Sequence, residues 1–167
     1  MENPRKKDFE SFYHQHIDKV YRFVFFRVGA NKELAEDLVS EIFLKALEHF
    51  AGYDEKISRS AWIMTIAKNH LANHWRDAKP VGRLPEDEDL SDDAFWLNSA
   101  KIAYEKGVIK AEVFHLLEHL NASDCEIVTF HYIFGYSYLE IAEMKGVTEN
   151  AIKMASHRAL KKMRKKV

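Results

Sequence analysis

Between Asp8 and Val28 the sequence DFESFYHQHIDKVYRFVFFRV sets Phe9, Phe12, Tyr13, Ile17, Val20, Tyr21, Val24 and Phe25 three and four residues apart. Only a helix gathers residues at that spacing onto one face, because side chains along a strand alternate with a period of two. The same period returns with Leu34, Leu38 and Ile42, over the stretch AWIMTIAKNHLANHWRDAK (61–79), and from Ala94 to Leu120 with Ile109, Val113, Leu116, Leu117 and Leu120. With 47% hydrophobic residues, six glycines and three prolines, the chain can form a core and has few interruptions. An all-α fold is expected.

Punctuation divides the chain. Gly29 ends the first helix, Asn31 caps the second and Gly52 closes it. Ser58 or Ser60 caps the third helix, and Pro80 stops it. The stretch PVGRLPEDEDLSDD (80–93) holds two of the three prolines and the carboxylates Glu86, Asp87, Glu88 and Asp89. Like charges repel and little there is apolar, so it reads as a linker. The expected organisation is two small helical domains, residues 1–79 and 108–167, joined by an acidic linker at 80–107. One expectation for that linker is that it folds onto the basic tail and masks it.

The second domain carries the sharper signals. Ser123 to Glu126 and Ser137 to Glu140 each have the capping-box spacing, Gly146 suits a left-handed helix end, and Thr148 caps a final helix. A short helix, a glycine turn and an amphipathic helix make a helix-turn-helix. Ile141, Ala142 and Val147 are expected at the crossing, and Ile152, Ala155, Ala159 and Met163 along the inward stripe. Asn150, Lys153, Met154, His157, Arg158 and Lys161 then face outward as candidate duplex-DNA contacts. The net charge is -1, yet no acidic residue follows Glu149, so positive charge is concentrated on this helix. Complementing a helix dipole explains Lys161 to Lys166. It does not explain the glycine turn or the caps.

Other function classes find little support. His70 and His74, and His115 and His119, are four apart, but Leu71 and Leu116 stand where a zinc protease of the HExxH type has its glutamate. One cysteine, Cys125, excludes an internal disulfide and fits a reducing compartment. No phosphate loop, nucleophile elbow or dinucleotide fingerprint occurs. The expectation is no catalytic residue, metal or cofactor, no membrane insertion, and a cytoplasmic, soluble protein.

Four stretches, AEDLVSEIFLKAL (35–47), AWIMTIAKN (61–69), GYSYLEIAEMKGVTENAIK (135–153) and HRALKKMR (157–164), resemble in order and spacing the bacterial sigma factors of the extracytoplasmic-function group. The resemblance implies a non-catalytic subunit that recruits core RNA polymerase to promoter DNA. It implies a minus-ten element read as melted strand, a minus-thirty-five element read as duplex, and an anti-sigma factor as a further partner. Asp37, Glu41 and Phe43 correspond to the polymerase-docking surface; as plain amphipathic-helix residues, Phe43 would sit in the core and the acids in solvent. Asn69 corresponds to the asparagine near a flipped base, with the loop 53–58 completing the pocket. An amide offers both donors and an acceptor to a base edge. Lys68, Arg76 and Lys79 are candidate phosphate contacts and Trp75 a candidate stacking surface, whereas Trp62 is expected in the core with Ile66. Cys125 and Ala155 replace arginines frequent in the family, which implies fewer phosphate contacts. A helix-turn-helix regulator acting without polymerase is the alternative, and it leaves the 35–47 and 61–69 stretches without a role.

Overall fold

The computed structural model describes residues 4–78 and 92–167; Lys79, Pro80 and the Glu86–Asp89 cluster lie outside the described residues. Among the described residues the secondary structure is entirely helical. Helix α1 (Pro4–Arg27) begins on a proline, whose missing N–H is no loss in a first turn. Its stripe is buried at Phe12, Val20 and Val24, but Phe23 and Phe26 are buried as well, while Tyr13 remains 36% exposed. The FVFF run is apolar around the helix, and such a helix is covered on more than one side. One side of α1 packs on α2 (Lys32–His49) and α3 (Arg59–Ala78), another on α4 (Asp92–Glu105).

Local chemistry accounts for the boundaries. Asn31 Oδ1 accepts from the Leu34 N–H at 3.1 Å, and Ser58 Oγ accepts from the Ala61 N–H at 3.0 Å. The α3 cap is therefore Ser58, and Ser60 is free for another role. Gly29 has φ +65°, and a Cβ there would stand 2.9 Å from Ile102 Cγ2 of α4. Glycine thus serves both the turn and the close approach of α4.

The segment 80–107, read as a linker, becomes a packed helix from Asp92 onward. Trp96, Ser99, Ala100 and Ala103 repeat at three and four residues and are buried. The helical period expected from Ala94 onward is therefore present, and its buried stripe is made mostly of small residues. After α5 (Ala111–Leu117) and α6 (Ala122–Val128), one π-helical turn at Thr129–Ile133 prolongs the α6 path. The α6 cap is Asn121, whose Oδ1 accepts from the Asp124 N–H at 2.8 Å, rather than the expected Ser123. Ser123 lies inside the helix, and Glu126 is turned toward Lys68 and Lys145. Helices α7 (Tyr138–Lys145) and α8 (Glu149–Arg164) follow.

The two halves are packed against each other. Phe23 and Phe26 of α1 meet Phe130 and Phe134, with ring centroids 5.5 to 5.8 Å apart, and Trp96 lies against Phe26 and Phe130. Phe134 is 0% exposed. Beside this aromatic seam lies a polar one. Both carboxylate oxygens of Glu140 accept from Lys19 Nζ at 3.0 Å, and Oε1 also accepts from Ser60 Oγ at 2.8 Å. Oε2 accepts from the Ser137 N–H at 2.8 Å.

Burial acts to raise the Glu140 carboxyl, but the bonds from Ser137, Ser60 and Lys19 outweigh it and hold the group below its ordinary range. A carboxylate depressed in this way contributes stability above its unfolded value, about 4.3, and that contribution is lost as pH falls through the folded value. Acidification from pH 6 to below 4 is expected to lower the urea midpoint of the wild type. Part of that decrease should be absent in Glu140→Gln, which has no proton to take up.

Candidate nucleic-acid interface

The expected helix-turn-helix is built by α7 and α8. Ser137 Oγ accepts from the Glu140 N–H at 3.1 Å while Glu140 Oε2 accepts from Ser137, which completes the capping box. Gly146 ends α7 at φ +68°, and Thr148 Oγ1 accepts from the Ala151 N–H at 3.2 Å to start α8. Ile141 and Ala142 pack with Ile152, Ser156 and Ala159, and Tyr138 Oη lies 3.0 Å from Ser156 Oγ. Those groups fill the crossing, so Val147, expected in the core, stays 47% exposed.

All six outward residues are exposed: Asn150, Lys153, Met154, His157, Arg158 and Lys161. Lys153 Nζ is 3.1 Å from Glu149, and Asn150 Nδ2 is 3.7 Å from Met154 Sδ. Lys162, off this face, instead anchors α8 through a 2.7 Å ion pair to the buried Asp124 of α6. The basic helix thus uses one lysine for packing and leaves an exposed strip of cationic and amide groups, the chemistry needed for phosphates and base edges.

Cys125 faces the core of the rear half at 4% exposure, its Sγ 4.0 Å from Thr129 Oγ1. In this packing position 125 is an interior position, filled by the small cysteine side chain. Burial pushes the Cys125 thiol up to about 11. A two-unit rise leaves about a hundredfold less thiolate, the reactive form. Native protein is therefore expected to react with a disulfide reagent at least about a hundredfold more slowly than denatured chain, measured by absorbance of the released thiolate.

On α3, Asn69 and Arg76 lie on one exposed face, and Arg76 Nη2 donates to Asn73 Oδ1 at 2.8 Å. Asn73, four residues after Asn69, belongs to the same exposed stripe. Lys68 occupies the neighbouring edge, 3.9 Å from Glu126 and 5.7 Å from the Phe130 ring centre. Trp75 does not share the open face. It is half-buried against the core, with the Arg27 guanidinium 5.2 Å from its ring. Trp62, expected in the core, is partly buried and packs at the core's edge among Phe12, Phe50 and Tyr53. In the 53–58 loop the Tyr53 hydroxyl donates to the Ile57 carbonyl, and Asp54 Oδ1 accepts from the Lys56 N–H at 3.0 Å.

Asp37 and Glu41 are exposed on α2, and His70 Nε2 of α3 lies 2.6 Å from Glu41 Oε2. Phe43 is different. At 5% exposure it packs against Phe12 and Tyr13, so it supports this helix from beneath and is not a contact residue. Leu44, one turn beyond Glu41, is 60% exposed, and Leu47 is 51% exposed. These leucines extend the acidic stripe with apolar surface. Of the histidine pairs, His70 is engaged by Glu41, and His115 Nδ1 lies 2.9 Å from Glu118. Among the described residues no three potential metal ligands converge, and no helix is long and apolar enough to cross a membrane.

Comparison with known proteins gives this geometry a family. The profile of Sigma-70 region 2 matches residues 12–81, and that of Sigma-70, region 4 matches residues 110–163. The ECF RNA polymerase sigma factor BldN of Streptomyces coelicolor is 32% identical over 92% of this chain, which spans 58% of BldN. The ECF RNA polymerase sigma factor SigX of Bacillus subtilis is 23% identical over 96% of this chain and 84% of its own length. The fold is shared with the sigma factor RpoE of Bartonella quintana, solved with the anti-sigma factor NepR, at TM-score 0.52 and 21% identity over 95% of this chain and 96% of RpoE. It is also shared with CnrH, solved with the cytosolic domain of CnrY, at TM-score 0.53 and 19% identity over 95% of this chain and 86% of CnrH. The chain belongs to the sigma-70 family, in its extracytoplasmic-function group. This is a family of transcription initiation factors and is not known for catalysis.

Proposed function

We propose that this chain binds core RNA polymerase in the cytoplasm and directs it to specific promoters without itself catalysing a reaction. The observation that carries the reading is the ordered pair of region 2 and region 4 matches on a fold whose last helix presents an exposed cationic face. In this reading residues 1–79 dock on polymerase and hold the melted minus-ten strand, residues 108–167 read the minus-thirty-five duplex, and residues 80–107 connect them. Asp37 and Glu41, with Leu44 and Leu47 beside them, are the docking surface. Asn69 captures a flipped base, while Lys68 and Arg76 hold backbone phosphates. Trp75 supports the far end of α3 from the core side. Asn150, Lys153, Met154, His157, Arg158 and Lys161 enter the major groove.

RpoE was solved with the anti-sigma factor NepR and CnrH with the cytosolic domain of CnrY, and the shared fold supports an anti-sigma protein as a regulator of this chain too. Two weak DNA-contacting modules on one chain gain selectivity when polymerase holds both at the right separation.

The test is transcription by core polymerase plus this protein on a genomic DNA library, with gel shifts of the recovered promoters. Discrete start sites and specific binding only in the presence of core enzyme support the proposal. Tight, specific duplex binding by the isolated chain, without start sites, would favour a stand-alone helix-turn-helix regulator.

A further inference from the structure

His70 and His74 have the four-residue spacing of a metal-binding pair, but the structure gives His70 a different partner. Its ring reaches from α3 to α2, where Nε2 lies 2.6 Å from Oε2 of Glu41. The His70 side chain is 12% exposed, against 57% for Glu41. Its Nδ1 is buried and has no hydrogen-bond partner among the described residues. A carboxylate has no hydrogen to give, and two lone pairs facing each other at 2.6 Å would repel. Nε2 therefore carries the hydrogen and donates it to Glu41. With Nδ1 unpartnered, that is the one polar bond that orients the ring.

The bond adds little to the fold. Helices α2 and α3 already pack on each other, with Leu38, Ile42, Ile63 and Ala67 buried in the common core. A single charged pair at the rim of such a contact is a small increment. Its effect on Glu41 is larger. Asp37, Glu41 and Leu44 follow one another at four and three residues along the exposed side of α2, which puts Glu41 in the middle of the docking surface. An unheld glutamate samples several rotamers and loses that freedom when a partner immobilises it. His70 takes only Oε2, and a carboxylate has about four acceptor sites, so Glu41 can still receive a donor from a partner.

We propose that His70 is a positioning residue for polymerase docking: from α3 it orders the Glu41 carboxylate of α2 before core enzyme arrives. The inference rests on the assignment of Glu41 to the docking surface. That surface is then built by two helices, and the second is the one on which Asn69 stands beside His70.

The experiment measures affinity for purified core RNA polymerase by anisotropy of the fluorescently labelled full-length chain. It compares wild type, His70→Gln and His70→Met, each with and without Glu41→Ala, at a temperature where melting curves show every variant folded. Glutamine and methionine are both unbranched and both good helix formers, but only glutamine offers an N–H. Any loss from replacing the ring therefore falls on both, and the difference between them isolates the donor. His70→Met is expected to bind core enzyme roughly two- to tenfold more weakly than wild type, the cost of ordering one free side chain. His70→Gln should stay within about twofold of wild type. In the Glu41→Ala background the difference between the two should vanish. Equal affinity of His70→Gln and His70→Met overturns the positioning role. So does a difference that persists without Glu41. Wild-type affinity of Glu41→Ala alone is a separate failure: it removes Glu41 from the docking surface, and the role of His70 falls with it.

Discussion

Replacing Phe134 with alanine is expected to lower unfolding stability by about 3–5 kcal/mol, the range for a large aromatic deleted from a tightly packed interior. Phe134 has no exposed surface, and its ring touches Phe23 and Phe26 of α1 as well as Phe130 of its own half. Its loss opens a cavity on the seam between the halves, where relaxation would have to move α1 against α4. Many domains of this size hold only about 5–15 kcal/mol in total, so the variant should be marginal. Urea denaturation checks this and distinguishes two cases. If the halves unfold as one cooperative unit, both tryptophan fluorescence and far-ultraviolet circular dichroism shift together to a lower midpoint. If the seam is thin, the rear half alone melts early and the two probes separate. Phe9→Ala, on the side of α1 away from the rear half and packed on Phe12 and Phe50, serves as the contrast: it should weaken the front half without bringing the seam apart.

The same seam marks where sequence reading succeeds and where it stops. Caps at Asn31, Ser58, Ser137 and Thr148, and the turn at Gly146, are local devices whose partners lie within a few residues, and each is present as expected. Errors arise where a second partner decides. Ser123 has the spacing of a capping box, but Asn121 lies two residues earlier and takes the cap. Phe23 and Phe26 fall off the best helical stripe of α1, and their burial is explained by neighbours distant in the chain, Phe130 and Phe134 for Phe23, and Phe134 and Trp96 for Phe26. Phe43 shows the reverse. It stands in a stretch associated with docking, but helical phase turns it inward while Asp37, Glu41 and Leu44 face out. Glu140 is legible as a cap, yet its bonds to Lys19 and Ser60 depend on how the halves meet, which no local pattern encodes.

On the recognition helix, Arg158→Ala is expected to weaken promoter binding by polymerase holoenzyme by about 1–3 kcal/mol, roughly five- to a hundredfold or more, if its guanidinium reads a base edge. Lys153→Ala should behave differently if it meets a phosphate. Affinity then falls for all sequences alike, and the slope of log affinity against log salt flattens by about one unit. Both side chains are exposed and lie away from the α8 packing face, so neither substitution should disturb the fold. Lys162→Ala is the informative contrast. It is equally cationic and one residue from Lys161, but its 2.7 Å pair with Asp124 binds α8 to α6, and its loss leaves a buried carboxylate unpaired. That variant should lose thermal stability, and any loss of binding should follow from it. Salt-dependent binding of holoenzyme to a recovered promoter, set beside melting curves of the three free variants, separates the roles. Equal salt slopes for Lys153→Ala and wild type would remove Lys153 from the phosphate contacts. Unchanged promoter affinity for both Arg158→Ala and Lys153→Ala would remove the exposed face of α8 from duplex recognition.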